Sequence, residues 1–204
     1  MVSSSDGIVQ LRKTQVNIAS KVLARAYLKD PLFSYFIPDL LEKQNKVQYL
    51  FNFQIHYSLS YGEVYTTSPN IEAIALWLPN NKTDISPWQA IRHGFLSLCL
   101  KLGLKSMKKF FLYNEFCEEH HKLNANIPHW YLYNIAVDPE HQKKGLASKL
   151  LKPFFARMDK LNMSCYLETQ IEENVSLYKH FGFEVVETAT LPNTDFLTRF
   201  MLRT

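Results

Sequence analysis

Glycine is scarce in this chain, with six in 204 residues against nine prolines. That scarcity bears on the two best-known nucleotide loops. A dinucleotide fingerprint needs Gly-x-Gly-x-x-Gly, and a P-loop ends in Gly-Lys-Ser/Thr; neither pattern occurs. Cysteine is scarcer still. Cys99, Cys117 and Cys165 are odd in number and have no metal-ligand spacing, which argues for reduced thiols in a cytoplasmic protein. No apolar run is long enough to span a bilayer. The longest candidate, Phe95 to Leu104, is broken by Lys101 and falls far short of the ~18 residues needed. The segment Met1 to Gly7 is polar and lacks the apolar core of a signal peptide. Neither sign of charge dominates. The net charge of +4 and pI of about 8.8 are too weak to argue for nucleic acid and compatible with an anionic cofactor. Internal repeats and low-complexity tracts are missing too. What remains is an ordinary globular composition, 47% hydrophobic and 21% charged. It is enough to bury a core as one domain over 1–204, with an insertion at about 86–124.

Periodicity and punctuation outline the elements. Ile8–Arg12 reads as a short strand. Thr14 is placed to cap a helix running to about Leu28, whose apolar residues recur at helical spacing. Asp30-Pro31 breaks it, and an aromatic loop over Leu32–Asp39 follows. A second helix covers Leu40–Leu59. Glu63–Thr67 and Ile71–Leu78 form a hairpin around Ser68-Pro69-Asn70. The second of these strands is nearly all apolar, which suits a central strand covered on both faces. Ser86, Pro87 and Gln89 spell a capping box with proline at the first helical position. Helix then continues, split near Gly103, to about Lys122. Its lysines Lys101, Lys105, Lys108 and Lys109 read as a solvated face, with Trp88, Ile91, Phe95, Leu98 and Leu102 opposite. Strand Trp130–Asp138, helix Leu146–Lys160 with Pro153 inside it, strand Ser164–Thr169, helix Glu172–Phe181 with Gly182 as its stop, and strands Phe183–Thr188 and Phe196–Leu202 complete the chain. The order βααββ, a helical insertion, then βαβαββ is a mixed α/β layer structure.

The most informative stretch joins the Trp130–Asp138 strand to the Leu146–Lys160 helix. It reads Gln142-Lys143-Lys144-Gly145-Leu146-Ala147. A glycine-bearing loop that opens a helix presents unpaired N–H groups and the positive end of the helix dipole, which together suit a phosphate. Lys143 and Lys144 are placed to add charge-assisted contacts.

The run Tyr133 to Ala147, followed by Tyr166-Leu167-Glu168-Thr169, Asn174, Tyr178 and Phe181-Gly182-Phe183, resembles the acetyl-CoA-binding region of the GNAT N-acetyltransferase superfamily. Within it, the chain resembles puromycin N-acetyltransferase and its relatives. It departs from the superfamily's usual arginine at Gln142 and from its second glycine at Ala147. The resemblance implies a central, mostly antiparallel twisted sheet of about seven strands, with helices on both faces and the helical insertion between the third and fourth strands. It further implies that the two strands flanking the cofactor splay apart. Acetyl-CoA would then lie against Ile135, Ala136 and Val137, Gln142 to Ser148 (Gln142, Lys143, Lys144, Gly145, Leu146, Ala147, Ser148), Asn174 and Tyr178. Val137 N–H is the oxyanion donor by the same resemblance.

Acetylation of an amine requires a neutral nucleophile, a polarised carbonyl and a proton for the leaving thiolate. The resemblance gives the proton-donor role to Tyr178. Glu168, at a strand end beside the implied cleft, is the candidate base, with His129 as the alternative. Phe33, Phe36, Trp77 and His129, with Tyr35, are the candidate acceptor-binding residues, because aromatic walls suit a hydrophobic amine. Asp30 before Pro31 reads as a turn residue, with a substrate ammonium as the other possibility. His120-His121 and His141 lack a ligand pattern, so no metal is expected. The expected activity is direct acetyl transfer, through a ternary complex, to the primary amine of a small molecule. The alternatives are a protein or peptide acetyltransferase and a non-catalytic acyl-CoA-binding protein. Nucleic-acid and membrane partners are not expected, and the chain is expected as a monomer or homodimer.

Overall fold

The computed structural model describes residues 7–204; the polar N-terminal segment lies, through Asp6, outside them. Seven strands are formed: β1 (Val9–Gln10), β2 (Glu63–Thr66), β3 (Ala73–Pro79), β4 (His129–Val137), β5 (Ser164–Thr169), β6 (Glu184–Thr190) and β7 (Leu197–Arg203). They make one sheet in the order β1-β2-β3-β4-β5-β7-β6. Every neighbouring pair is antiparallel except β4 and β5. The helices are α1 (Val16–Ala26), α2 (Pro31–Phe36), α3 (Leu40–Tyr61), α4 (Pro87–Arg92), α5 (Phe95–Leu102), α6 (Leu104–Asn124), α7 (Leu146–Lys160) and α8 (Glu172–His180). This is the mixed, mostly antiparallel sheet expected from the sequence, with α4 to α6 as the insertion between β3 and β4. Among the described residues no helix is long and apolar enough to cross a membrane.

Strand β3 shows why the core has two halves. Its residues Ala73 to Leu78 are all buried, and alternate side chains point to opposite faces. Ile74 and Leu76 pack with α1 and α3. Ala73, Ala75 and Trp77 pack with α7. The two alanines leave room for α7 to approach, and Trp77 stacks on Phe154 with ring centroids 3.7 Å apart and planes 6° from parallel. Arg157 on α7 completes the contact by donating two hydrogen bonds, 3.1 and 2.6 Å, to Glu63 of β2. Gly62, between α3 and β2, admits no side chain, because a Cβ there would lie 2.0 Å from the Trp77 carbonyl oxygen.

Several expectations need correction. Strand β1 is two residues long, shorter than Ile8–Arg12. Thr14 does not cap α1; it lies within a single 3-10 turn, Lys13–Gln15, where the Gln15 side chain accepts from Arg12 N at 3.1 Å. The aromatic stretch after Asp30 is not a loop throughout. Asp30 Oδ1 accepts from Leu32 N (2.8 Å) and Phe33 N (3.3 Å), and Pro31 stands at the first position of α2. The insertion forms as read from Ser86, whose capping box with Gln89 is present. It is split at Gly94 (φ 93°) as well as at Gly103 (φ 79°). These two breaks rotate the segments, so no single apolar stripe survives: Leu98 and Leu102 are buried, whereas Trp88 and Ile91 are 74% and 44% exposed.

Strand β4 carries the irregularity that shapes the site. Leu76 pairs with Asn134 and Trp77 with Leu132, so Tyr133 has no partner on β3. This is a β-bulge, which adds one residue and strengthens the local twist. Tyr133 and Asn134 consequently turn to the same side of the sheet, where Gln54 of α3 meets both. Beyond the bulge β4 parts from β5. Their parallel pairing covers only His129–Ser164, Trp130–Cys165 and Tyr131–Tyr166.

Candidate active site

The gap between β4 and β5 is bounded at its far end by a fixed turn. Asp138 N donates to Glu72 O at 2.8 Å, and the Asp138 carboxylate pairs with Arg25 of α1. A 3-10 turn, Pro139–His141, follows, with Asp138 Oδ1 accepting from Glu140 N. The chain then extends at Gln142 and takes positive φ at Lys143 (61°) and Gly145 (73°) before α7 begins. No side chain caps α7, and Lys149 N is the donor to Gly145 O, at 3.0 Å. The N–H groups of Leu146, Ala147 and Ser148 therefore have no intrahelical partner. A Cβ on Gly145 would meet nothing within 4 Å, so glycine is needed there for its φ, and the space in front is open. Lys143 and Gly145 are exposed. Lys144 Nζ folds back to Glu140 O at 3.2 Å, and Gln142 Nε2 to Val137 O at 3.4 Å. Open amides at a helix N-terminus, with an exposed lysine beside them, fit a pyrophosphate.

A small cleft of about 130 Å³ lies where β4 and β5 diverge, lined by Ile135, Leu167, Glu168 and Tyr178 among others. Tyr27 donates to Ile135 O at 3.0 Å from the α1 side. Tyr178, on α8, is 6% exposed, and burial pushes its hydroxyl pKa up, so it stays protonated at neutral pH. A second and larger cavity, about 960 Å³, opens under the insertion, walled by Phe53, Phe95, Phe110 and Phe111 with Tyr131 and Tyr133. Glu168 borders both spaces. Burial raises its carboxyl pKa to about 7, against the pull of a hydrogen bond from Tyr131. A carboxyl poised near neutrality between two cavities is suited to accepting a proton at working pH.

Comparison with known proteins places this geometry. A family model described as an acetyltransferase (GNAT) domain matches residues 110–185. The uncharacterized N-acetyltransferase C550.08 of Schizosaccharomyces pombe is 30% identical over 175 residues, covering 81% of this chain and 69% of that protein. The chain belongs to the GNAT N-acetyltransferase family. Solved acetyltransferase structures share the fold. A Corynebacterium glutamicum protein described as histone acetyltransferase HPA2 and related acetyltransferase superposes with a TM-score of 0.68 at 21% identity, over 96% of this chain and 94% of that one. An agmatine N-acetyltransferase gives 0.57 at 13%, over 96% and 98%. A mosquito arylalkylamine N-acetyltransferase like 5b gives 0.54 at 12%, over 96% and 99%.

Against this GNAT frame, the residues singled out from sequence separate into groups. Ile135, Glu168 and Tyr178 line the cleft where β4 and β5 part; Ala136 and Val137 end β4, and the loop Gln142–Ser148 leads from there into α7. Asn174 is the third residue of α8, its N–H bonded to Ile171 O at 3.1 Å; it neither caps the helix nor borders the two cavities. Phe33 and Phe36 border the small cleft, not the large cavity, and are buried in the core. Tyr35 packs edge-on against Phe196. Trp77 is a correction: it is fully buried against Phe154 on the opposite face of the sheet and borders neither space. His129 is another. It is 3% exposed, and both ring nitrogens are committed, Nδ1 to Ile127 O at 2.7 Å and Nε2 to His121 Nε2 at 2.6 Å. Neither cavity reaches it, so it has no free nitrogen with which to act as base. Asp30 is committed to capping α2. Sequence reasoning missed Tyr131, Tyr133 and His121, which line the larger cavity. The only hint was their density of aromatic and polar groups around the key strand.

Proposed function

We propose that this GNAT protein transfers an acetyl group directly to the primary amine of a small molecule, within a ternary complex. The observation that carries the reading is the position of Glu168, shared between the cleft at the β4–β5 divergence and the large cavity under the insertion. Acetyl-CoA, when bound, supplies a thioester carbon open to an amine and a thiol leaving group. The open amides of Leu146 to Ser148, with Lys143, would hold its pyrophosphate, and the unpaired edge of β4 at Ile135 to Val137 would pair with its amide-rich arm. Glu168 takes a proton from an ammonium of pKa ~10, the form in which an amine arrives at neutral pH. Tyr178, kept protonated by burial, holds a proton at its hydroxyl for the leaving side. A covalent route through cysteine is disfavoured. Cys165 is fully buried in β5, its thiol pKa pushed up to about 12, and burial raises that of Cys117 too. Thiolates, not thiols, are the nucleophiles.

The large cavity favours a small molecule over an extended peptide, since its walls are aromatic and its volume matches ordinary ligand pockets. The similar folds belong to proteins named for both small amines and histones, and fold alone does not choose between them. The narrower resemblance to puromycin N-acetyltransferase is not carried by the relatives described above. Thiol release from acetyl-CoA across a panel of primary amines and peptides tests the reading. Turnover of small amines is expected. Turnover of peptides alone would overturn it, as would tight CoA binding with no turnover of any acceptor.

A further inference from the structure

The large cavity has a polar end that acetyl transfer does not use. Glu115, Glu118, Glu119 and Lys122 line it from α6, with Asp84 and His121. The four α6 residues follow the i, i+3, i+4, i+7 pattern of one helix face. Lys122 is committed to Glu118, and Glu115 and Glu119 make no ion pair among the described residues. The wall is thus four carboxylates against one already paired lysine.

His121 gives this end a second and independent character. It is 7% exposed, and its ring is clamped by stacking on Tyr166, centroids 4.3 Å apart and planes at 15°. Its tautomer follows from its neighbours. His129 Nδ1 faces the Ile127 carbonyl, which can only accept, so that nitrogen carries the proton and His129 Nε2 holds a lone pair. His121 Nε2, 2.6 Å from it, must therefore donate. That leaves His121 Nδ1 as a bare lone pair with no hydrogen bond among the described residues, on a side chain that lines the cavity. Burial and the proximity of the second ring lower the pKa of His121 to about 4, so the pair is neutral at working pH. On a residue that lines the cavity, that lone pair can be reached by a ligand that donates to it.

We propose that His121 Nδ1 and the carboxylates of Asp84, Glu115, Glu118 and Glu119 form a second recognition site within the acceptor pocket, selecting acceptors with a second, cationic hydrogen-bond donor: diamines and polyamines. The aromatic wall between this end and Glu168 covers the methylenes that join the two nitrogens. This rests on the acceptor reading given under Proposed function, and it adds the class of acceptor.

The test compares 1,5-diaminopentane with pentylamine, which match in chain length and differ in the distal nitrogen. The wild-type protein is expected to favour the diamine by about tenfold or more in kcat/KM, a margin that one charge-assisted hydrogen bond can supply. The double substitution Glu115→Gln/Glu119→Gln, on exposed helix positions, should cut that ratio about tenfold. His121→Phe keeps a ring against Tyr166 and removes the lone pair, and it should cut the ratio too. If folding of His121→Phe fails, the double variant alone decides. Equal kcat/KM for the two amines in the wild type, or losses in the variants that fall equally on both, would overturn the proposal. If neither amine is acetylated, the acceptor reading fails on its own. Thermal shift by the two amines, in the presence of CoA, then judges the site: a diamine-specific shift lost in the double variant supports it, and equal or absent shifts overturn it.

Discussion

Replacing Glu168 by glutamine should make the protein more stable and less active, with the size of the first effect set by pH. An ordinary glutamate titrates at 4.5, whereas burial moves Glu168 to about 7. Each unit of displacement is ~1.4 kcal/mol, so the buried carboxylate costs about 3 kcal/mol once ionised. Below pH 4.5 both folded and unfolded states hold the proton, and the residue contributes no pH dependence. Between 4.5 and 7 the unfolded chain releases the proton first, so it binds fewer protons than the folded state and stability falls as pH rises. Above 7 the full cost applies. Glutamine carries no charge, so the variant escapes this loss. Urea unfolding of both proteins at several pH values isolates the effect, because the other titrating groups cancel in the difference. That difference should be near zero around pH 4.5 and grow to about 3 kcal/mol in the variant's favour by pH 8. Over the same range wild-type turnover should rise through about pH 7, while the variant's falls by roughly 10²-fold or more. A stability difference that stays flat between pH 4.5 and 8 would refute the burial argument, whatever happens to turnover.

Tyr178→Phe should lower kcat by roughly ten- to a hundredfold while the dissociation constant for CoA, by calorimetry, changes little; loss of binding in step with turnover would remove the hydroxyl from its proton-donor role. Gly62→Ala should destabilise by about 3 kcal/mol in urea unfolding, since its Cβ must displace the Trp77 carbonyl 2.0 Å away. Gly145→Ala meets no atom but forces a side chain to φ 73°. It should cost ~1 kcal/mol of stability and weaken acetyl-CoA binding measurably in titration, because the loop must relax away from the open amides.

The parts legible in the sequence are those whose cause is local. Helix α7 begins where Gly145 places it, strand β5 spans the residues read for it, and the capping box at Ser86 starts α4 as read. Helix α2 is legible too, because Asp30-Pro31 is a cap followed by a first-turn proline, although the dense aromatics after it resemble a loop. Other features depend on partners far along the chain. The bulge at Tyr133 has no glycine to mark it and exists only in the count of residues against β3. The side of the sheet taken by Trp77 follows from the alanines at 73 and 75, which make space for Phe154, a contact invisible until α7 is docked. The His121–His129 pair joins a helix end to a strand start, and neither period reveals it. Periodicity along the insertion put Trp88 and Ile91 inside with Leu98 and Leu102, but the turns at Gly94 and Gly103 reorient the segments and leave the first two exposed.

The brief pairing of β4 with β5 also has a mechanical consequence. A continuous ladder shares load across every strand, but here it crosses between β1–β4 and β5–β7 at three residue pairs. The sheet is therefore two plates joined by a short hinge, with the remaining coupling left to packed helices on either side. Such plates open locally at lower cost than either plate unravels. Anything that bridges them beyond Tyr131 stiffens the molecule far from where it touches, so rigidity in this fold is a property conferred by occupancy as much as by sequence.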